Sequence, residues 1–188
     1  MYSLETLICL FPYFFLPLRI LAPTWPTPTS SNIKILGLFS DAKNTSNPSE
    51  FSVHSRAVFK SAILLSQRYN LTVDGQFIEY ISSQTDINII NALEDSCEAV
   101  SNTNIIGIVG PAFSREAHVI GEFAQRIQIP VISYAATNPD LSSRVAYPTF
   151  FRTVPSDNSA ALAIVSLFNR FNWSSCIIIY QNDAFGSN

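Results

Sequence analysis

The sequence predicts an α/β protein built on a doubly wound, mostly parallel sheet with helices on both faces. Three observations carry this. From Asn32 onward, apolar runs of strand length alternate with longer segments of helical period, the pattern of repeated strand–helix–strand crossovers. Ile105 to Gly110 is a continuous apolar run, suited to a central strand buried on both faces of a parallel sheet. The runs end in turns rich in Gly, Pro, Ser and Asn, where such a chain reverses direction.

Taken in order, Ile33 to Phe39 reads as a strand feeding a polar loop, Ser40 to Glu50. Phe51 to Tyr69 is an amphipathic helix, with Val58, Ala62 and Leu65 spaced to share its buried face. Gln76 to Ile81 alternates as a second strand, and Ile87 to Val100 returns to helical period through Ile90, Leu93 and Cys97. After the central strand, Ser114 opens a helix to about Gln128, and Ile129 to Tyr134 is the next short strand. A helix capped by Ser156 or Asp157 runs to about Arg170, and Cys176 to Tyr180 closes the series as a buried strand.

The ends of the chain differ in composition. Leu7 to Ala22 is apolar apart from Arg19 and is followed by a Pro/Thr/Ser-rich stretch. Residues 1–22 read as a secretory signal peptide, or a retained anchor, and 23–32 as a linker. Pro12, Pro17 and Arg19 interrupt a span already shorter than the ~20 apolar residues that cross a bilayer. Three glycosylation triplets begin at Asn44, Asn70 and Asn172 and agree with export. Past Cys9, Cys97 and Cys176 are compatible with one disulfide or with two buried thiols. A formal net charge of -3, with no basic run interleaved with aromatics, argues against a nucleic-acid partner.

Ligands of open parallel sheets bind outside the carboxyl ends of the strands. That rule selects the turns Ser40 to Ser49, Gly110 to Ser114, Tyr134 to Asp140 and Val154 to Asp157. Ser114 stands where free N–H groups at a helix start would hold a carboxylate, or serves simply as a helix cap. Thr137 offers a hydroxyl, and Asp157 an anion for an ammonium group or for capping Ser159 or Ala160. Together they match the polarity of an α-amino acid head group. Catalytic patterns are missing: His54 and His118 lie near no nucleophile setting, the Gly107-Ile108-Val109-Gly110 turn lacks a dinucleotide fingerprint, and no metal-ligand spacing occurs. No enzyme activity and no cofactor is expected.

At these turns the sequence resembles a known family. The residues that carry the likeness are Pro130 to Thr137, Asp140-Leu141-Ser142, Phe150 to Asp157 and Phe171-Asn172-Trp173. They are similar to the receptor-type ligand-binding region, the Venus-flytrap module of class C G-protein-coupled receptors, and most of all to metabotropic glutamate receptors. Natriuretic peptide receptors, ionotropic glutamate receptor amino-terminal domains and bacterial branched-chain amino-acid binding proteins share the module. The likeness runs without a gap from Gly110 to Gly186 and is looser from Ile33 to Asn104.

The resemblance implies a type I periplasmic-binding-protein-like fold, with a first lobe over residues 33–172 and the truncated start of a second over 173–188. It implies that Ser114 and Thr137 hold an amino acid's head group, that Asp157 pairs with its ammonium, and that Ala135 and Phe185 line the site. Serine is usual at the position of Ala135 and tyrosine at that of Phe185, and Phe113 and Arg115 replace small hydroxyl residues beside Ser114. The expected ligand is therefore amino-acid-like, with glutamate among the candidates. The expected partners are a second copy or a related chain through the first lobe, and a G protein through a membrane region, on the extracellular side of the cell membrane. The alternatives are a natriuretic-peptide or ionotropic type of receptor region, or a secreted binding protein that does not signal.

Overall fold

A computed structural model describes residues 32–41 and 49–179. The expected signal peptide, most of the linker, Asn44, Tyr180 and Phe185 lie outside the described residues. The main sheet has five parallel strands in the order β4-β1-β5-β6-β7. These are β1 (Ile33–Phe39), β4 (Glu79–Gln84), β5 (Asn104–Val109), β6 (Val131–Ser133) and β7 (Phe150–Arg152). The helices are α1 (Glu50–Arg68), α2 (Ile89–Asn102), α3 (Ser114–Arg126) and α4 (Asp157–Phe171). The α/β fold class read from the sequence is the one observed.

Alternation along β1 divides the core between the two faces of the sheet. Leu36 and Leu38 join Ala92, Ala99, Ile108, Ile120, Val131 and Phe150 beneath α2 and α3. Ile35 and Phe39 turn to the other face, where they meet Phe59 and Ile63 of α1. Gly37 points the same way, and a Cβ there would lie 2.7 Å from both the Phe39 and Phe59 rings, so the absent side chain lets Phe59 settle onto the strand. Ser49 caps α1 by accepting from the Ser52 N–H at 3.2 Å, and Asn88 caps α2 in the same manner.

Several expected details are corrected. The buried face of α1 is Ser52, Phe59 and Ile63, whereas Val58 is 68% exposed. In α2 the inward residues are Ala92, Ser96 and Ala99, and Ile90 faces solvent. Both helices carry two apolar stripes, and the inner one is set by the sheet: the Phe59 ring of α1 fills the hollow over Gly37, and the small residues of α2 allow close approach to α3. Gln76 to Ile81 is not one strand. Asp74 and Gly75, both at positive φ, turn a short hairpin of β2 (Thr72–Val73) and β3 (Gln76–Phe77) ahead of β4, the conformation a two-residue hairpin turn needs.

Residues 173–179 form no strand and Ile177 to Ile179 are exposed, contrary to the expected closing strand. No neighbouring strand pairs with them among the described residues, and an unpaired strand has no ladder to hold it. Cys97 and Cys176 are both free and exposed, so neither a disulfide nor buried thiols is found. α4 likewise has no buried residue. Replacement of Phe59 by Ala should cost about 3–5 kcal/mol of folding stability, and Val58→Ala no more than about 0.5. Denaturant melts of the two variants check this, and equal losses would restore the outer stripe as the packing face.

Candidate functional site

The connections reverse between β1 and β5: α1 leaves β1 on one face, and α3 leaves β5 on the other. The loops after these neighbouring strands therefore part, and a crevice opens between them at the carboxyl end of the sheet. Gly110 makes the exit from β5 possible. Its φ is +99, and a Cβ would lie 2.3 Å from the Leu38 carbonyl oxygen of β1.

Backbone and hydroxyl hydrogen bonds bring the predicted site residues together. Ser114 is the first residue of α3, not its cap; Phe113 holds the cap position and makes no side-chain bond. The Ser114 Oγ instead accepts from the Asn138 N–H at 3.2 Å, joining the start of α3 to the loop after β6. The Thr137 carbonyl accepts from the Asp157 N–H at 3.0 Å, joining that loop to the start of α4. Ser156 caps α4, so Asp157 does not serve that purpose. Among the described residues the Thr137 hydroxyl and the Asp157 carboxylate form no hydrogen bond. Ala135 is half-buried in the same loop, its N–H directed to Ser133 Oγ at 3.4 Å.

Two residues that sequence reasoning passed over hold this loop in place. Ser133 is buried; its hydroxyl donates to the Pro111 carbonyl at 2.7 Å and accepts from the Ala136 N–H at 3.0 Å. Arg152, at the end of β7, donates to the Asn138 carbonyl at 2.9 Å, to the Ala136 carbonyl at 3.3 Å and to Ser142 Oγ. Burial lowers the Arg152 guanidinium from its ordinary value, and the Asp157 carboxylate acts against that, so Asp157 already faces one cation. The position of Arg152 directly after two phenylalanines, at a strand end, was the available signal.

A second polar group lies beneath the crevice. Glu116 is fully buried, its Oε1 accepting from Thr85 Oγ1 at 2.6 Å and its Oε2 lacking a hydrogen-bond partner. It occupies the stripe continued by Ile120 and Ala124, and a carboxylate on an apolar stripe was a legible anomaly. Desolvation raises its pKa, with the Thr85 hydrogen bond and Arg115 acting weakly in the other direction. Tyr134 donates to the Leu38 carbonyl at 3.3 Å. Burial, then Glu116 and Asp41, pushes its phenol well above the ordinary tyrosine range. Asp41, just past β1, is also buried and forms an ion pair with Arg56 of α1 at 3.5 Å. A cleft of about 410 Å³ lined by Arg56, Lys60, Ser82, Ser83 and Gln84 opens at the β4 end of this rim.

His118 packs on Tyr147, its Nδ1 2.8 Å from the phenol oxygen, and plays no part in the crevice. Asn70 and Asn172 sit exposed at left-handed positions just past α1 and at the cap of α4. No group of three or more potential metal ligands occurs among the described residues.

A parallel sheet with a switch point between β1 and β5, and helix starts and a hydroxyl-bearing loop along its carboxyl end, is the architecture of α/β domains that bind ligands at strand ends. Residues 65–188 match the family described as receptor family ligand binding region, and the chain belongs to that family. It is 37% identical over 84 residues to glutamate receptor 3.7 of Arabidopsis thaliana, a match covering 45% of this chain and 9% of that protein. It is 31% identical over 109 residues to glutamate receptor 2.4 of the same plant, covering 58% of this chain and 12% of that protein. To taste receptor type 1 member 3 of Rattus norvegicus it is 35% identical over 82 residues, 44% of this chain and 10% of that protein. The chain thus spans about a tenth of the length of these relatives.

The raised carboxyl of Glu116 gives a pH test with a definite sign. Its folded-state pKa lies above the ordinary value of 4.5, so folding takes up a proton between the two. The contribution of this group is most favourable below the lower value and is lost as pH rises through the higher one. Glu116→Gln should therefore melt increasingly above the unmodified chain as pH increases from about 4 to 7. A difference that shrinks over that range would mean the carboxylate is stabilised as an anion.

Proposed function

We propose that this chain is the amino-terminal part of a receptor's extracellular ligand-binding region, and that its rim crevice takes the head group of a small amino-acid-like ligand. The observation that carries the reading is the hydrogen-bonded junction of the loops after β5, β6 and β7, Ser114 to Asn138 and Thr137 to Asp157, at the carboxyl end of the sheet and next to the divergence between β1 and β5. The uncapped start of α3 supplies N–H groups and a positive dipole end for a carboxylate. The Asp157 carboxylate supplies the counter-charge for an ammonium, with Ala135 leaving room between them and Phe185 as a cover from beyond the described residues.

In this reading residues 1–22 direct export, 23–32 are a linker, 33–172 form a first lobe, and 173–188 begin a second. The apolar residues left uncovered on α4 and at Ile177 to Ile179 suit packing against such a second lobe. Closure of two lobes on the ligand selects one hinge state and is the signal. Asn44, Asn70 and Asn172 carry glycans on the outer side of the cell membrane, and the exposed outer stripes of α1 and α2 suit pairing with a second copy or a related chain. A G protein is the partner in the class C receptors that the sequence resembles. The similarity to the plant glutamate receptors favours a second reading, an ionotropic type of receptor region with the same ligand site.

Amide spectra of the full 188-residue chain, titrated with L-alanine and L-glutamate, test the reading. Shifts should concentrate at Ser114, Thr137 and Asp157, and Asp157→Asn should weaken the response about tenfold, the worth of one charge-assisted hydrogen bond. Shifts absent from these residues, or unaffected by the substitution, would refute it.

A further inference from the structure

The wall of the crevice on the α1 side is aromatic. Phe39 ends β1, Tyr134 follows β6 and Phe51 is the second residue of α1. The Tyr134 ring centroid lies 6.1 Å from that of Phe39 and 5.8 Å from that of Phe51. Phe39 is buried, whereas Phe51 is 52% exposed. The phenol of Tyr134 is directed to the Leu38 carbonyl, which leaves its ring, not its hydroxyl, for the open side.

The charges along the same wall oppose an acidic side chain. The Asp41 side chain is 1% exposed, and among the described residues neither of its oxygens has a hydrogen-bond partner. Arg56 is the counterion of this buried carboxylate among the described residues, and drawing it toward an incoming anion would weaken that pairing. Glu116 adds a second buried carboxyl group near the Tyr134 phenol. Lys60 lies one turn further along α1, 5.7 Å from the Tyr80 ring centroid, at the β4 edge of the sheet.

On the footing of the function proposed above, we infer that the amino acid bound here has an apolar side chain, aliphatic or aromatic, seated against Phe51 and Tyr134, and that Asp41 disfavours acidic ones. Phe51 and Asp41 are then specificity-determining residues: the first adds apolar contact, and the second withholds the positive charge of Arg56.

The test is a binding series on the full chain with L-alanine, L-leucine, L-phenylalanine and L-glutamate, read by amide shifts at Ser114, Thr137 and Asp157. Leucine and phenylalanine should bind about tenfold more tightly than alanine, the scale expected from partial burial of a large apolar side chain, and glutamate more weakly than alanine. Phe51→Ser removes a half-exposed ring and should preserve the fold, as circular dichroism will show. It should abolish the preference for leucine and phenylalanine over alanine. Glutamate as the tightest of the four, with shifts at the same three residues, would overturn the inference and leave the receptor reading standing. So would a preference for large side chains that survives Phe51→Ser. If none of the four amino acids shifts those residues, the receptor reading fails and this inference with it.

Discussion

Parallel pairing of β1 with a neighbour on each side is the constraint on which the rest of the structure depends. Parallel strands cannot be joined by tight turns, so each connection must cross the sheet before the next strand begins. Because β1 lies between β4 and β5, its own connection departs on one face while that of β5 departs on the other. The crevice is a product of this topology. Side chains do not create it; they stiffen it, through Ser133, Arg152 and the Ser114–Asn138 contact.

The polar groups gathered at this rim are costly for a small domain. A buried carboxylate without a full set of partners is unfavourable, and Glu116 Oε2 and both Asp41 oxygens lack hydrogen bonds. Beneath the crevice, burial answers the cost at Glu116 by favouring the neutral carboxyl, and Asp41 is matched by Arg56. The result is a wall on which the Phe51 ring is open and Asp41 is matched by Arg56, beside a loop whose Thr137 hydroxyl makes no hydrogen bond among the described residues. That division between head group and side chain is what lets one crevice recognise a zwitterion and discriminate among zwitterions.

Much of this was legible in the residues, because period and turn chemistry are local. The strands β1, β5 and β6, the start of α3, and the rim turns follow from apolar runs bounded by Gly, Pro and Ser. The junction of Ser114, Thr137 and Asp157 was expected from the rule that parallel sheets bind ligands at strand ends. The choice between the two apolar stripes of α1 was not legible, since it depends on the hollow at Gly37 in a different strand. Nor was the short β2–β3 hairpin read, although Asp74-Gly75 is a strong turn signal. The polar clamps were hidden for another reason: Arg152 and Ser133 act across the sheet, at sequence distances no periodic pattern spans. The expected strand at Cys176 had the right composition but no partner among the described residues, and strand propensity alone does not make a strand.

Amide hydrogen exchange of the unmodified chain is the most direct test of the rim as a single structure. The Asn138 and Asp157 N–H groups lie in connections, where exposed amides exchange freely, but here they donate to Ser114 Oγ and to the Thr137 carbonyl. Both should be protected to the same degree as the amides of β6. Exchange of either one at the rate of an open loop would mean that the three turns move independently and that no common crevice exists.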